Sequence, residues 1–422
     1  MEETRKSLTG QVECLLPGGE AVVRSPDGVF LVPNAVPGDE VRFHEQGKRR
    51  GSRRGVLGDV LRPASTRVEP ICGIAAECGG CALQYLDKKA HAGIKSAWVY
   101  ESFGPFVEED TLWQPIEETE SGLRRRARWW RAEDGQGVYL GFRARTSHEV
   151  VRHGHCHAVL PELDMARQAI QEVLPLSVQA VQITKLHDGM HIVLESDLAI
   201  GAGLTLPETP ELPELHVQYW WRNPTGTKPL SGDIKPLHDL LPAGGGNVRL
   251  CIGPDDFVQG QMEGNAAVVK QVQSWAADAR RVVDLFTGAG NLSLPLAYST
   301  GAEVLGADVR PQSIQAANAN ASRLSVTAEF HAANLFEAKS LSAYAGADIL
   351  ILDPPRKGAK SVCQAMAMLL PKKIIMLSCD VATGRRDAAI LHRHGYRMHA
   401  LRAFDLFPYA GHVEAMSLWV QA

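Results

Sequence analysis

Short apolar runs of strand length alternate with Gly, Pro and Asp turns from residue 8 to about residue 62. This pattern predicts five strands, at Leu8–Cys14, Glu20–Arg24, Val29–Val32, Glu40–Glu45 and Gly55–Val60. Five short strands at this spacing are typical of a small barrel of the oligonucleotide-binding (OB) kind. We therefore expect residues 1–62 to form an OB-like barrel.

The last third of the chain has a different pattern, in which apolar runs alternate with helical stretches. Strands are expected at Val282–Phe286, Val304–Ala307, Ile349–Leu352 and Ile374–Leu377, and helices at Leu292–Tyr298 and Thr383–His394. Uninterrupted apolar strands are typical of a parallel sheet that is buried on both faces. Residues 255–422 are therefore predicted to form a Rossmann-like α/β domain.

The intervening residues 63–254 begin with a linker-like stretch, Pro63–Pro70, and then become rich in strand patterns. These strands are expected at Val138–Arg145, Val181–Lys185, His191–Glu195 and His216–Trp221. Ala199–Pro213 and Leu241–Asn247 have the composition of loops. We predict a central domain with a mostly antiparallel sheet, lodged between the barrel and the α/β domain.

Composition narrows the class of protein. The chain has 422 residues, of which 45% are hydrophobic and 22% charged, and its net charge is -4. This balance argues against a uniformly basic coat, so any nucleic-acid contact must use local patches. The chain begins without a signal-like apolar stretch and has no run of 18 apolar residues, so we expect a cytoplasmic protein and no membrane partner. Eight cysteines in such a chain indicate thiol chemistry or metal binding.

Two segments concentrate positive charge. Lys48–Arg54 carries five basic residues in what the pattern predicts to be a mobile loop of the barrel. On a barrel of this kind, phosphate contact is favoured over a solvated charge run. Leu123–Arg131 mixes Arg with Trp, which suits phosphates and unstacked bases, although a strand with one charged, solvated face is the alternative. RNA is the predicted partner.

Three cysteines lie within ten residues, and a fourth follows later in the chain. Cys72, Cys78 and Cys81 have loop spacing that can wrap a metal or a cluster. Cys156 is the candidate fourth ligand, in a stretch that also contains His153, His155 and His157. An iron-sulfur loop, a zinc site and a set of buried structural thiols all remain open.

A glycine-rich turn follows the first strand of the α/β domain. Thr287–Asn291 leads into a helix, and Asp308 ends the second strand, where a carboxylate can accept hydrogen bonds from two ribose hydroxyls. Ser293 stands where a dinucleotide-binding turn needs its third glycine. The pattern therefore favours S-adenosylmethionine over NAD, and the alternative is an α/β domain without a ligand.

Three further positions carry the candidate chemistry. Asp353-Pro354-Pro355 follows a strand, as in amino-group methyltransferases, but Arg356 replaces the aromatic residue usual there. Cys379 follows another strand, and Glu414 lies near the C-terminus. Attack of a thiolate on C6 of uridine makes C5 nucleophilic enough to take a methyl group, after which a base must remove the C5 proton. An amino-group methyltransferase needs neither the thiol nor this base.

With these motifs in view, the chain resembles the bacterial RNA 5-methyluridine methyltransferases along nearly its full length. The resemblance rests on Cys72, Cys78, Cys81 and Cys156, on Arg124–Arg128 and Gly141–Arg143, and on Asp284–Asn291, Asp353–Gly358, Ser378–Cys379 and Phe407–Glu414. It implies that residues 1–62 are a TRAM domain and that the four cysteines hold a [4Fe-4S] cluster. It also implies a class I methyltransferase domain and places the chain with the branch acting on large-subunit ribosomal RNA.

The same resemblance implies roles for individual residues. Cys379 would be the nucleophile and Glu414 the base. The residues around S-adenosylmethionine and the target base would be Gln259, Phe286, Asn291, Asp308, Asn334 and Asp353.

The chain departs from the family pattern at three places. Asp380-Val381 follows Cys379 where Asn-Pro is usual, Gln261 replaces an asparagine, and Asp308 replaces a glutamate. A carboxylate beside Cys379 disfavours its thiolate unless Asp380 points away. A transfer-RNA substrate, an amino-group methyltransferase and a non-catalytic RNA-binding factor remain alternatives, and we expect a monomer.

Overall fold

The computed structural model describes residues 6–49, 51–119, 123–199, 216–230, 232, 234–337 and 341–421. Within them, the strands form a closed barrel, a seven-stranded sheet, a two-stranded hairpin and an eight-stranded sheet. The predicted loop Ala199–Pro213 lies outside the described residues except for Ala199. Among the helices described, none is long and apolar enough to cross a membrane. The domain limits at residues 62 and 254 stay predictions.

The five predicted strands of the first unit are confirmed. They are β1 (Ser7–Leu15), β2 (Glu20–Ser25), β3 (Gly28–Pro33), β4 (Glu40–Arg49) and β5 (Ser52–Arg62). They close into a barrel in the order β1-β2-β3-β5-β4. Alternate side chains point inwards, as strand geometry requires, and Val23, Phe30 and Phe43 fill the interior.

The interpretation of Lys48–Arg54 as a mobile loop is wrong. β4 and β5 extend into this segment as a hairpin, with Arg49 paired to Ser52. Arg53 forms an ion pair with Glu45 at 2.9 Å, and Arg54 pairs with Glu20. Carboxylates of the same barrel therefore neutralise two of the five basic residues, whereas Lys48 and Arg49 are exposed at the tip.

The central region begins with α1 (Lys88–Phe103), a short 3-10 helix (Gly104–Phe106) and β6 (Leu112–Glu118). Its sheet contains β7 (Arg126–Asp134), β8 (Gly137–Arg143), β9 (Val150–Val151), β10 (Ala180–Lys185), β11 (Gly189–Glu195), β12 (His216–Asn223) and β13 (Gly226–Pro229). The strand order is β13-β12-β11-β10-β7-β8-β9, and α2 (Pro161–Gln171) packs on it. All its strand pairs are antiparallel except β11 with β12, which confirms the mostly antiparallel sheet.

The interpretation of Leu241–Asn247 as a loop is also wrong. The segment contributes to a hairpin of β14 (His238–Ala243) and β15 (Gly246–Cys251). Gly244 and Gly245 form the turn with φ of 56° and 80°. Positive φ at both central residues is the hairpin geometry that glycine favours, so the two glycines mark a turn between strands.

The C-terminal part forms the expected α/β sheet. Its strands are β16 (Arg281–Leu285), β17 (Glu303–Asp308), β18 (Ala328–Ala332), β19 (Ile349–Leu352), β20 (Lys373–Ser378), β21 (Tyr396–Asp405) and β22 (Glu414–Gln421). Its helices are α3 (Met262–Trp275), α4 (Ser293–Thr300), α5 (Pro311–Leu324), α6 (Lys360–Gln364), α7 (Met366–Leu369) and α8 (Val381–Arg393), with a 3-10 helix at Ser342–Tyr344. The order is β18-β17-β16-β19-β20-β22-β21-β6, so β6 from the central region adds the last strand.

The central parallel strands β16, β19 and β20 are buried on both faces, as their apolar sequences predict. Val283, Leu350 and Ile374 face α1 and α8, in a core that continues into the barrel interior. Val282, Ile351 and Ile375 face α3, α4 and α5. The sheet is therefore a rigid support for residues beyond its strand ends.

Candidate active site and cysteine pocket

The carboxyl ends of the parallel strands bring predicted site residues to one edge of the sheet. Leu285 pairs with Ala307 on one side and with Leu352 on the other. The next residue on each strand is Phe286, Asp308 or Asp353, so these three side chains begin at neighbouring positions. Ligands bind beyond this edge in open α/β sheets.

Cys379 and Glu414 are brought together by an antiparallel pair. β20 pairs with β22 through Ser378 and Ala415, so Cys379 and Glu414 occupy the next pair of positions. Residues directly opposite in such a pair have Cα atoms about 4.5–5.5 Å apart. The fold therefore places the candidate nucleophile opposite the candidate base, beside Asp353 at the end of β19.

The two carboxyl groups at this edge have raised pKa values. Burial, followed by the charge of Asp284, raises the pKa of Asp353 to about 7. Burial, followed by the charge of Asp353, raises the pKa of Glu414 to about 8, and Arg356 opposes this change. Both side chains are half-buried. Glu414 therefore titrates near neutral pH, where a general base is most effective.

The Cys379 thiol is protonated in the ligand-free site at neutral pH. Burial, with smaller contributions from the charges of Glu414 and Asp353, raises its pKa to about 12. Arg356 acts in the opposite direction. The thiolate of Cys379 therefore forms more easily when Glu414 and Asp353 are protonated, or when a ligand brings positive charge close to the thiol.

Asp380 does not direct its charge at the neighbouring thiol. Its side chain caps α8, because Oδ1 accepts a hydrogen bond from the backbone N–H of Thr383 at 2.8 Å. Asp and Asn are both good N-caps, so the departure from the usual asparagine keeps the same local structure.

The glycine-rich turn is organised by Asp284, which is buried at the end of β16. Its Oδ2 accepts hydrogen bonds of 2.6 Å from the hydroxyls of Thr287 and Ser293. Its Oδ1 is buried and has no hydrogen-bond partner within the described part of the chain. Sequence reasoning assigned Asp284 no role, although its place at the start of the turn motif was a usable signal.

The other predicted cofactor residues lie around this turn. Asp308 accepts hydrogen bonds from the backbone N–H groups of Gly288 at 3.2 Å and Arg310 at 3.0 Å. Asn291 exchanges two side-chain hydrogen bonds of 2.9 Å with Asn265. Phe286, with φ of 70°, lies 5.8 Å from Phe336 between ring centroids.

Asn334 lies at the same edge, two residues beyond the strand partner of Asp308. Its side chain bonds Glu337 at 2.6 Å and the backbone N–H of Phe336 at 3.2 Å. In this structure Asn334 therefore stabilises its own turn.

Gln259 reaches the strand edge from the segment that precedes α3. Its amide donates to Asp353 Oδ2 at 3.3 Å, and its backbone carbonyl accepts from Arg125 Nε at 2.7 Å. Arg125 is itself buried in a bidentate ion pair with Asp239, at 2.7 and 2.8 Å. Arg125 is thus a positioning residue for Gln259.

The arginine-rich stretch Leu123–Arg131 therefore matches neither predicted interpretation, an RNA-binding surface or a strand with one solvated, charged face. Arg125 is buried, and Arg126 is half-buried and bonded to Gln182 and to the Asp256 carbonyl. Trp129 is a core residue, and the guanidinium groups of Arg128 and Arg143 cover the ring of Trp130. Most of the stretch is neither a solvated face nor an open stacking platform, because internal carboxylates, carbonyls and rings occupy its side chains.

The four predicted ligand cysteines line one cavity of about 300 Å³, together with Arg124 and three histidines. Burial is the main cause that raises the pKa of Cys78 and Cys81, and it raises that of Cys156 to about 12. Neighbouring thiols add to each shift. Within the described residues, no three His, Cys, Asp or Glu side chains form a group able to hold a metal ion.

Two contacts tie this cysteine pocket to the rest of the protein. Buried Asp164 accepts from the backbone N–H of Cys156 at 3.3 Å and pairs with Arg167 at 2.8 Å. Arg124 lines the pocket and also lies 4.4 Å over the ring of Phe407, in the loop before Glu414. The cysteine pocket and the loop that precedes Glu414 are therefore neighbours.

Comparison with known proteins decides the family. The profile of a methyltransferase domain matches residues 276–392. A protein of Marinomonas posidonica named 23S rRNA (uracil(1939)-C(5))-methyltransferase is 30% identical, over 96% of this chain and 94% of its own. One of the same name from Halomonas elongata is 31% identical, over 99% and 89%. This chain belongs to their family, the uracil-C5 RNA methyltransferases. The expected membership is thereby confirmed.

A solved structure supports the architecture of this methyltransferase. The tRNA (uracil-54, C5)-methyltransferase of Pyrococcus abyssi, in complex with S-adenosyl-L-homocysteine, has a TM-score of 0.73 at 21% identity. The match covers 98% of this chain and 99% of that one. The two proteins share a fold, and the predicted combination of barrel, central β region and α/β domain is confirmed.

Proposed function

We propose that this methyltransferase transfers a methyl group from S-adenosylmethionine to C5 of a uridine in 23S rRNA, through a covalent bond between Cys379 and C6. The observation that carries the proposal is that Cys379 follows the last paired residue of β20 and Glu414 precedes its partner in β22, beside the pair of Asp353 and Gln259. Methylation at C5 needs both a nucleophile and a base at this edge, whereas an amino-group methyltransferase needs neither. An rRNA substrate also implies work in the cytoplasm.

The chain's own residues account for each step. Cys379 Sγ attacks C6, and the electron pair of the C5–C6 bond moves into the ring as an enolate. C5 then takes the methyl group in line from the sulfonium sulfur of S-adenosylmethionine, whose bond to that carbon would break so that a neutral thioether leaves. Glu414 removes the C5 proton, the double bond re-forms, and Cys379 leaves as a thiolate. The uridine must leave its stack to reach this edge, where Asp353 and Gln259 offer hydrogen bonds to its ring.

The turn after β16 suits a ligand that carries positive charge. One oxygen of buried Asp284 has no hydrogen-bond partner among the described residues, and Asp308 lies across the next strand end. Besides burial, the charge of Asp284 raises the pKa of Asp353, and the charge of Asp308 raises that of Asp284, because like charges near one another disfavour ionisation. A cationic methyl donor relieves this repulsion and also lowers the cost of forming the Cys379 thiolate. We therefore propose that Phe286, Asp308, Asn291 and Asn334 surround the donor.

The cysteine pocket suits a [4Fe-4S] cluster held by Cys72, Cys78, Cys81 and Cys156. Although these side chains form no site for a single metal ion within the described residues, four thiols line one cavity, which is the number that a cluster requires, and a cluster fills more space between them than one ion does. A fully ligated cluster has no open iron, so we propose that its role is structural. Arg124 offers a nearby positive charge to such an anionic cluster.

The proposed function is tested with 5-fluorouridine. A 23S rRNA fragment that carries 5-fluorouridine at the uracil named in the relatives should form a one-to-one adduct with the enzyme, stable on denaturing gels. Fluorine cannot leave as a proton does, so the reaction stops after methyl transfer. Formation of the adduct should require S-adenosylmethionine, and Cys379→Ala should abolish it.

An amino-group methyltransferase would methylate RNA and give no such adduct, and a non-catalytic factor would give neither product. Turnover on the uridine RNA without an adduct on the fluorinated RNA would therefore exclude the covalent mechanism. A tRNA transcript with the same substitution serves as the substrate control, because the alternative branch predicts trapping there instead.

We propose that the barrel is a TRAM domain that contacts phosphates through the exposed tip residues Lys48 and Arg49. Replacing both by alanine should weaken RNA binding at low salt and reduce the magnitude of the negative slope of log K against log salt by about 2, since each phosphate contact contributes about −0.9. The methylated nucleotide should not change, because phosphate contacts carry no base information. Binding curves at several salt concentrations measure this.

The matched control is Arg24→Ala with Arg42→Ala, which removes the same charge from exposed arginines that pair with Glu13 and Asp59. This control should change the salt slope by less than half of the change seen in the Lys48/Arg49 variant. An equal change, or a shifted methylation site in the tip variant, would contradict the assignment.

A further inference from the structure

A buried lysine connects α1 to the loop that precedes the candidate base. Lys95 has no exposed side-chain surface, and Asp405, 310 residues later in the chain, is 1% exposed. Lys95 Nζ donates to Asp405 Oδ1 at 2.6 Å and to the carbonyls of Phe407 and Pro408 at 2.8 and 3.2 Å. The three protons of the ammonium group thus have three acceptors, all from one turn.

That turn starts the loop Leu406–Val413, which we call the base loop because Glu414 follows it directly. Both ends of the base loop are fixed, since Phe404 pairs with Glu414 where β21 meets β22. Asp405 Oδ1 also accepts from the backbone N–H of Phe407 at 3.2 Å. Lys95 therefore holds the entry of the base loop against α1, at the strand end from which Glu414 reaches the site.

Two further contacts fix the middle of the base loop. The backbone N–H of Leu83 donates to the Tyr409 carbonyl at 2.9 Å, and that of Gly18 donates to the Gly411 carbonyl at 2.7 Å. Gly411 is packed so closely that a Cβ there would lie 2.3 Å from the Gly18 carbonyl carbon. The base loop is thus held by α1, by Leu83 in the segment that contains Cys72, Cys78 and Cys81, and by the barrel.

We propose that Lys95, through Asp405, is a positioning residue for proton removal by Glu414. The inference rests on the proposed function and adds a residue that touches neither substrate nor donor. An ion pair without solvent resists small shifts, because any separation leaves two buried charges without partners. A displacement of about 1 Å in a reacting group lowers rates about 10²-fold, so a loosened base loop should slow the step that Glu414 performs.

The effect should be confined to that step. Cys379 lies on the connection from β20 to α8, and the donor turn follows β16; Lys95 makes no hydrogen bond to either segment. Without Lys95, attack and methyl transfer should proceed while removal of the C5 proton lags. The covalent Cys379–RNA intermediate should then accumulate on unmodified uridine RNA to a higher level than in the wild-type enzyme.

The experiment compares Lys95→Met with Lys185→Met in the full-length enzyme. Lys185 is the matched control, because it is also a buried lysine that donates to backbone carbonyls, those of Leu186 and His187, in the central sheet. Lys95→Met should lower kcat at least tenfold, raise the adduct fraction at least fivefold, and leave S-adenosylmethionine affinity within threefold. Lys185→Met should leave the adduct fraction at the wild-type level even where its melting temperature falls.

If Lys95→Met does not fold, the double variant Lys95→Met/Asp405→Leu removes both charges and carries the same test. Folded variants that turn over at near wild-type rate, or that lose rate without accumulating adduct, would overturn the proposal. Glu414→Gln separates the two hypotheses: if it accumulates adduct and the Lys95 variants do not, only the positioning role fails. If it also gives none, the covalent mechanism itself is wrong.

Discussion

Cys379→Ala should lower turnover by at least about 10³-fold, the scale on which removal of a nucleophile acts. Affinity for S-adenosylmethionine should stay within about twofold of wild type, because the donor turn after β16 is built from other residues. Single-turnover methylation of the rRNA fragment and calorimetric titration of the donor measure the two quantities. A variant that retained near-normal turnover would remove the central feature of the mechanism.

Glu414→Gln should fail at a later step of the same reaction. The amide cannot accept the C5 proton, so turnover should fall by about 10²–10⁴-fold while attack and methyl transfer still occur. The methylated RNA–protein adduct should accumulate on denaturing gels and disappear in the double variant Cys379→Ala/Glu414→Gln.

The matched control for Cys379→Ala is Cys251→Ala. This variant also removes a cysteine, but a half-buried one outside both the cysteine pocket and the strand edge.

Loss of the proposed iron-sulfur cluster should have a large effect on the structure. Anaerobically prepared protein should be brown and contain about four irons per chain, whereas Cys156→Ser should lose most of them. In the segment from Pro63 to Asp87, the described chain has turns and bends, with only two isolated bridges, between Arg67 and Leu86 and between Cys78 and Ala144. Such a segment depends on its ligands for its fold, so Cys156→Ser should expose residues 72–84 to protease and to hydrogen exchange.

The same variant should also slow turnover, because Leu83 anchors the base loop through the Tyr409 carbonyl. Exchange in β16 to β20 should stay close to wild type, since their packing does not involve the cysteine pocket. Cys251→Ser is the matched control and should keep its iron. Colourless wild-type protein that carries one zinc would contradict the cluster.

Much of the architecture could be predicted from local pattern. The apolar runs at Ile349–Leu352 and Ile374–Leu377 fall inside β19 and β20, and the predicted helix Thr383–His394 matches α8 closely. Local pattern succeeds here because a strand buried on both faces must be apolar throughout. It failed at Lys48–Arg54 and Leu241–Asn247, where the charged residues and the glycines indicated loops, but the segments belong to hairpins. In both, pairing with another strand decided the structure.

The arginine-rich stretch shows a second limit of the sequence. Its composition suits nucleic acid, yet Arg125 pairs with Asp239 and supports Gln259. No spacing rule connects residues 125, 239 and 259, because a buried ion pair forms only where the fold excludes water around both partners. The sequence thus indicated positive charge, and the tertiary structure determined what that charge binds.

By itself, the sequence determined the α/β class, the glycine-rich turn, the four spaced cysteines, and a thiol and a carboxylate suited to C5 chemistry. These follow from residue types at short spacing, which local geometry constrains. Only the tertiary structure decided that Cys379 and Glu414 are opposite one another, because β22 pairs antiparallel with β20. It also decided that Lys95 meets Asp405 across 310 residues and that burial raises the pKa of Glu414 to about 8. Desolvation and long-range pairing exist only once the chain has folded, and the chemistry of this site depends on both.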